Sequence, residues 1–370
     1  MLHSSLSAAT RSRGKKKVAK ETKEVNICAI EGIQAPMYCY CDNSTIRNAT
    51  DATCLVLSPF SNNDPTWNYF TSQIYLQRLK FVVRTPNGLE YVPVQLLRQL
   101  KNLQKITLQD ASIEELKEGA FSNLPTIAEI DLNTNLISSL RTRAFENMRN
   151  LSSIFLNANR ITEINRSFLT QLACHIPWIN PDRSISRDTF VNLPSLKVLS
   201  LNSNNISTLH DKAFKHLTTL EELHLVDNQI KVITADSFHG LRSLIKLDLR
   251  NNLIAMIGDR TFIEMPSLRQ LDLDQNEIEY ISEKALDGMR NLRNLKLSDN
   301  KLVTLDADFL AGAPGVYVLD LRDNLLKTLT FDNIKPIVTN LYNSTSQFYL
   351  SALEFRVKTV LRIPCSLTSS

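Results

Sequence analysis

Leu220-Glu-Glu-Leu223-His-Leu225-Val-Asp-Asn228-Gln-Ile230 is the stretch from which the rest of the chain can be read. Apolar residues stand at its positions 1, 4, 6 and 11, and an asparagine stands at position 9. The same order returns in steps of 24, opening at Leu196, Leu244, Leu268, Leu292 and Val316. Upstream, Leu103, Ile127 and Leu151 keep the pattern. Leu76, with Leu79 and Phe81, opens an irregular first unit in which three extra residues precede Asn87. A fixed period of this length marks a repeat array rather than a set of globules. Counting the openings predicts about ten coils.

The spacing carries its own physics. Positions 3 to 7 alternate, as a short strand does, with positions 4 and 6 inward and 3, 5, 7 and 8 outward. One coil cannot bury its own apolar row, so neighbours stack and their strands pair in parallel. The expected fold is therefore an α/β solenoid, bent into a horseshoe with the strands on its concave side. Position 9 holds Asn135, Asn159, Asn204, Asn228, Asn252, Asn276, Asn300 and Asn324, and only Ala111 interrupts the row. An amide both donates and accepts, so it can satisfy backbone groups stranded where the strand turns. Phe121, Phe145, Phe190, Phe214, Phe238 and Phe262 recur near position 19 and predict one aromatic spine behind the sheet. A helical bundle would not hold an asparagine at one place in a period of 24.

The 370 residues are 43% hydrophobic and 22% charged, with a net charge of +4, too small for a protein built around nucleic acid. Basic residues cluster only in residues 1–24, at Arg11, Arg13, Lys15, Lys16, Lys17, Lys20 and Lys23; this reads as a solvated arm. The arm has no apolar run of the kind a secretory signal needs, and no stretch reaches the ~18 apolar residues of a membrane span.

Residues 25–75 precede the repeats and carry Cys28, Cys39, Cys41 and Cys54. An exposed solenoid end needs a cap, and disulfides can hold a small one together. Cys28 is expected to pair with Cys39 or with Cys41, and Cys54 to close the other bridge. Zinc is the rival, but the single residue between Cys39 and Cys41 fits its usual ligand spacing poorly. Disulfides predict an extracellular location, and the glycosylation sequons at Asn43, Asn48, Asn150, Asn205 and Asn343 agree with it. A sixth sequon, at Asn165, adjoins an irregularity. Leu151 and Leu196 are 45 residues apart, and deleting residues 166–186 restores a regular coil, so this segment reads as an insert. The rival is a degenerate coil using Asn180 and Ile185. The repeats are taken as residues 76–340. Residues 341–370, with the lone Cys365, read as an unfinished C-terminal cap and tail.

The 24-residue pattern with its position-19 phenylalanine resembles the extracellular class of leucine-rich-repeat proteins. Met37-Tyr-Cys39-Tyr-Cys41, Asp64-Pro65-Thr-Trp67 and Asn340-Leu-Tyr-Asn343-Ser-Thr-Ser-Gln-Phe348-Tyr-Leu350 resemble more narrowly the connectin-like insect surface proteins. That resemblance implies homophilic adhesion between cells, a lipid anchor on the outer membrane face, and a role where motor neurons meet muscle. The chain departs from it in showing no signal peptide, in residues 166–186, and in having neither a finished cap nor an apolar anchor-signal tail. These departures are expected of an incomplete or misassembled gene model.

Outward strand positions nominate a binding wall: Asp131, Phe155, His224, Asp248, Arg250, Asp272, Asp274, Lys296, Asp320 and Arg322. Both charge signs occur there, as a self-complementary contact requires. The expected partner is a protein, either another copy or a second surface protein, and not nucleic acid. A receptor ectodomain for a secreted ligand is the alternative. The histidines (His3, His175, His210, His216, His224 and His239) form no metal pair with a carboxylate, and neither a phosphate loop nor a nucleophile elbow is present. No enzymatic activity and no cofactor are expected.

Overall fold

A computed structural model describes residues 25–30, 35–59, 61–164 and 189–342. Twelve strands form one sheet in chain order. They are β1 (Met37–Cys41), β2 (Asp51–Val56), β3 (Arg78–Val83), β4 (Lys105–Gln109), β5 (Glu129–Asp131), β6 (Ser153–Phe155), β7 (Val198–Ser200), β8 (Glu222–His224), β9 (Lys246–Asp248), β10 (Gln270–Asp272), β11 (Asn294–Lys296) and β12 (Val318–Asp320). β1 runs antiparallel to β2, and every later pair is parallel. Strands β3 to β12 open the ten coils. The register never slips: Leu223, Leu247, Leu271 and Leu295 lie side by side, each inward and buried.

The position-9 asparagines lie inside, with Asn252 only 4% exposed. Its Nδ2 donates to the carbonyls of Leu225 (2.9 Å), Leu249 (3.0 Å) and Arg250 (3.2 Å), and its Oδ1 accepts from the N–H of Ile230 at 3.1 Å. One side chain thus ties a turn to itself and to the preceding coil. The same set repeats from Asn135 to Asn324. The residue before each, from Thr134 and Ala158 to Asp323, adopts positive φ, as does Asp110 before Ala111. That conformation costs a non-glycine residue about 1 kcal/mol, and the ladder holds it in place.

Residues 165–188 lie outside the described residues, and with them Asn165, Asn180 and Ile185. The strands on either side are direct neighbours: Ser153 pairs with Val198, and Asn204 reaches the Leu156 carbonyl at 3.0 Å.

The aromatic spine differs from the expectation. Rings stack from Phe121 to Phe145 (5.4 Å) to Phe190 (5.5 Å), and again from Phe238 to Phe262 (6.2 Å). Phe214 is fully buried but stacks with neither neighbour among the described residues. The return arc explains the break. Phe121, Phe145 and Phe190 sit in short paired strands and Phe214 in the first turn-built arc, so the stack breaks where the arc changes; it resumes from Phe238, in a 3-10 turn, to Phe262.

At the amino end Cys28 bridges Cys41 and Cys39 bridges Cys54, which resolves the pairing and leaves none of these thiols for zinc. A 3-10 segment, Pro65–Gln73, begins at Asp64, whose carboxylate accepts from the Thr66 N–H at 2.8 Å. It seats Trp67 and Phe70 against Phe81 of the first coil. Tyr91 packs edge-on to Trp67, and burial pushes its phenol up to about 12. Two helices complete the described chain, α1 (Val94–Gln99) and α2 (Phe331–Tyr342). Asn333 fastens α2 to the ninth coil through the Asp306 carbonyl at 2.8 Å. No helix among the described residues is long and apolar enough to cross a membrane.

Candidate protein-binding surface

Because alternate strand residues face opposite ways, positions 3, 5 and 7 of ten parallel strands make one continuous wall. It divides into three zones.

The amino-terminal zone is charged. Arg78 pairs with Asp51, and Lys105 reaches Glu129 at 2.7 Å. Asp51, Arg78, Lys80, Lys105 and Asp131 edge a cleft of about 290 Å³. Asp131 turns back to accept from the Asn133 N–H at 3.1 Å.

The central zone, on β6 and β7, carries no charge. Phe155 stands there half-buried beside Ser153, Val198 and Ser200. A second asparagine row borders it at position 7. Asn133 accepts from the Asn157 N–H, Asn157 from the Asn202 N–H, and Asn202 from the Val226 N–H, each at 2.8 Å. Asn157 also accepts from the Ser200 hydroxyl at 2.7 Å. This row was missed in the sequence, although asparagine at position 7 of three successive coils was there to be read.

The carboxy-terminal zone is one chain of ionisable side chains in contact over four coils. Glu222 lies 3.0 Å from His224 Nε2, and His224 Nδ1 lies 3.9 Å from Asp248. Arg250 grips Asp248 with two bonds of 2.9 Å and lies 3.6 Å from Asp272, which Lys296 meets at 3.0 Å. Burial would raise the Asp248 carboxyl, but hydrogen bonds from His224 and Arg250 outweigh it and hold the group well below the usual carboxylate range. The bond that Lys296 donates to Asp272 raises the ammonium. Asp274 is raised too, first by burial and then by Asp272 beside it, although it accepts from the Ser298 N–H at 2.7 Å. Asp320 and Arg322 pair bidentately in the last coil, which lowers the carboxyl.

Six of the ten nominated residues thus come together: His224, Asp248, Arg250, Asp272, Asp274 and Lys296. Four of them, Asp248, Arg250, Asp272 and Lys296, edge a cleft of about 200 Å³. Phe155, Asp131 and the Asp320–Arg322 pair stand apart from it. Arg78, Lys80, Lys105, Glu129 and Glu222 belong to the wall and were not nominated, although strand positions 3 and 5 marked them. No group of three or more His, Cys, Asp or Glu side chains among the described residues is placed to hold a metal ion.

The sequence profile of the leucine rich repeat matches residues 87–170, 180–230, 194–254, 218–278, 242–302 and 290–336, well over half of the chain. The chain belongs to the leucine-rich-repeat family. As a leucine-rich-repeat solenoid it is a scaffold for interaction with other molecules. It is 38% identical to connectin of Drosophila melanogaster over 92 residues, which is 24% of this chain and 13% of connectin. The TLR13–ssRNA13 complex shares the fold with a TM-score of 0.59 and 25% identity, over 74% of this chain and 35% of TLR13. Toll in the Toll–Spätzle complex of Drosophila gives 0.55 and 21%, over 76% and 36%. The APL1 leucine-rich-repeat domain gives 0.54 and 20%, over 77% and 66%. The chain therefore spans a small part of connectin and about a third of the TLR13 and Toll chains.

Proposed function

We propose that this chain is the recognition module of a cell-surface adhesion protein that binds a protein partner through its concave wall, the partner being a second copy on an apposed cell. The observation that supports this is the uncharged Phe155 patch lying between two charged zones. An aromatic at the centre of a desolvated patch is where binding energy concentrates, while flanking charges set encounter rate and register. Those flanks are already ion-paired within the chain, so a partner meets little uncompensated charge. The likeness to connectin supports the homophilic reading, and the two disulfides in the cap support an extracellular setting. The exposed sequons at Asn43, Asn48, Asn150 and Asn205 lie off the wall and leave it open when glycosylated; Asn343 lies outside the described residues. The lipid anchor belongs to the same proposal.

Bead clustering tests the reading. Beads coated with the chain alone should aggregate, and Phe155→Ala should cut the clustering rate by about tenfold or more. Beads that stay dispersed at every coating density would end the homophilic reading and leave a receptor for a secreted ligand.

A further inference from the structure

Position 13 of each coil lies on a flank of the solenoid, past the asparagine turn and off the concave wall. In most coils it is polar: Glu115, Ser139, Glu163, Thr208, Thr304 and Thr328. In three consecutive coils it is Val232, Met256 and Tyr280, exposed by 68, 57 and 48%. Their neighbours Ile233, Ile257 and Ile281 point inward and are buried. The stripe is rigid, for Met256–Ile257 and Tyr280–Ile281 pair as short parallel strands with Met256 beside Tyr280. Alongside it, position 12 carries Lys231, Ala255 and Glu279, all exposed. Neither Lys231 nor Glu279 makes an ion pair among the described residues, whereas nearby Lys301 and Glu277 pair with each other at 3.3 Å.

We propose that this flank is where two copies of the chain pair about a two-fold axis through Met256. A two-fold contact must be self-complementary, and this stripe is so in both charge and shape. Lys231 and Glu279 sit at the same position, one coil before and one coil after Ala255. Rotation about the axis therefore sets Lys231 of each copy against Glu279 of the other. The same rotation sets Val232 on Tyr280 and Met256 on Met256, with small Ala255 allowing close approach. Three side chains and two ion pairs cover less than the ~800 Å² per partner of a standard interface, so the pairing is weak and suits copies held side by side at high local concentration. It leaves the concave wall free and does not depend on what that wall binds.

Sedimentation equilibrium of the full chain tests this. The chain is enzymatically deglycosylated, so that a sugar on Asn205, at position 10 of the fifth coil, does not intervene. The unaltered chain should show a monomer–dimer equilibrium in roughly the micromolar range. Met256→Glu, which places two carboxylates on the axis, should leave only monomer. Lys231→Glu and Glu279→Lys should each weaken dimerisation by about tenfold, and the double variant should restore it to within about threefold of the original. All four variants should melt at the temperature of the parent, since the sites are exposed. A chain that stays monomeric, a dimer indifferent to Met256→Glu, or a double variant as weak as the single ones would overturn the proposal.

Discussion

Two rows of asparagine run through this protein at the same repeat, and they differ in one respect. At position 9 the amides are buried, and all their bonding capacity goes into holding coils together, as in Asn252. At position 7 the amides of Asn133, Asn157 and Asn202 are half-exposed and accept from the next coil through Oδ1 alone, so their Nδ2 groups make no hydrogen bond among the described residues. Two positions along the strand turn a buried group into one half open to solvent. The comparison teaches that in a stacked fold the residue type says less than the side of the sheet on which it falls.

The difference can be measured. Asn252→Ala leaves the Ile230 N–H unpaired in a dry interior, worth about 1–3 kcal/mol, and takes one of two donors from the carbonyls of Leu225, Leu249 and Arg250, which keep Asn228, Asn276 and the Asp227 N–H. The three lost carbonyl bonds add to this, and the expected loss is about 3 kcal/mol, read as a lower urea midpoint at unchanged slope. A loss below ~1 kcal/mol would mean that water already reaches the ladder.

Arg250→Ala comes next. It leaves the Asp248 carboxylate, whose side chain is 4% exposed, without its main partner. Because Arg250 itself is 44% exposed, the expected cost is discounted to about 1–3 kcal/mol. The pH dependence follows in sign. A carboxyl lowered in the folded state contributes stability above its unfolded value, near 3.9, and loses it as pH falls through the lowered folded value. The parent should therefore lose melting temperature steeply below about pH 4, and Arg250→Ala should flatten that fall. Equal acid slopes for the two proteins would remove Arg250 as the cause.

Asn157→Ala is the smallest. The N–H of Asn202 and the hydroxyl of Ser200 lose an acceptor at the rim of the wall, where water can replace it, for about 1 kcal/mol or less. A loss matching that of Asn252→Ala would erase the distinction between the rows.

Much of the solenoid was legible because its signal is redundant. Ten coils repeat one rule, so an irregular unit such as Leu76–Asn87, or a gap such as Ala111, does not obscure it. The aromatic spine was less legible. Phe190 and Phe214 occupy equivalent positions, but ring orientation depends on whether the arc is strand or turn, which the spacing of phenylalanines does not record. The wall was legible as a set of positions and not as a set of pairs. Arg250 could as well have been a free cation, and its bidentate grip on Asp248 depends on side-chain directions across two strand positions.

The period of 24 and its inward leucines already determined that this chain stacks, since no single coil can dry its own apolar row. Which cysteines bridge, which charges cancel, and that Val232, Met256 and Tyr280 line up on an open flank were decided only by the tertiary structure. Those relations join residues whole coils apart, and proximity across the stack exists only once the coils have closed on one another.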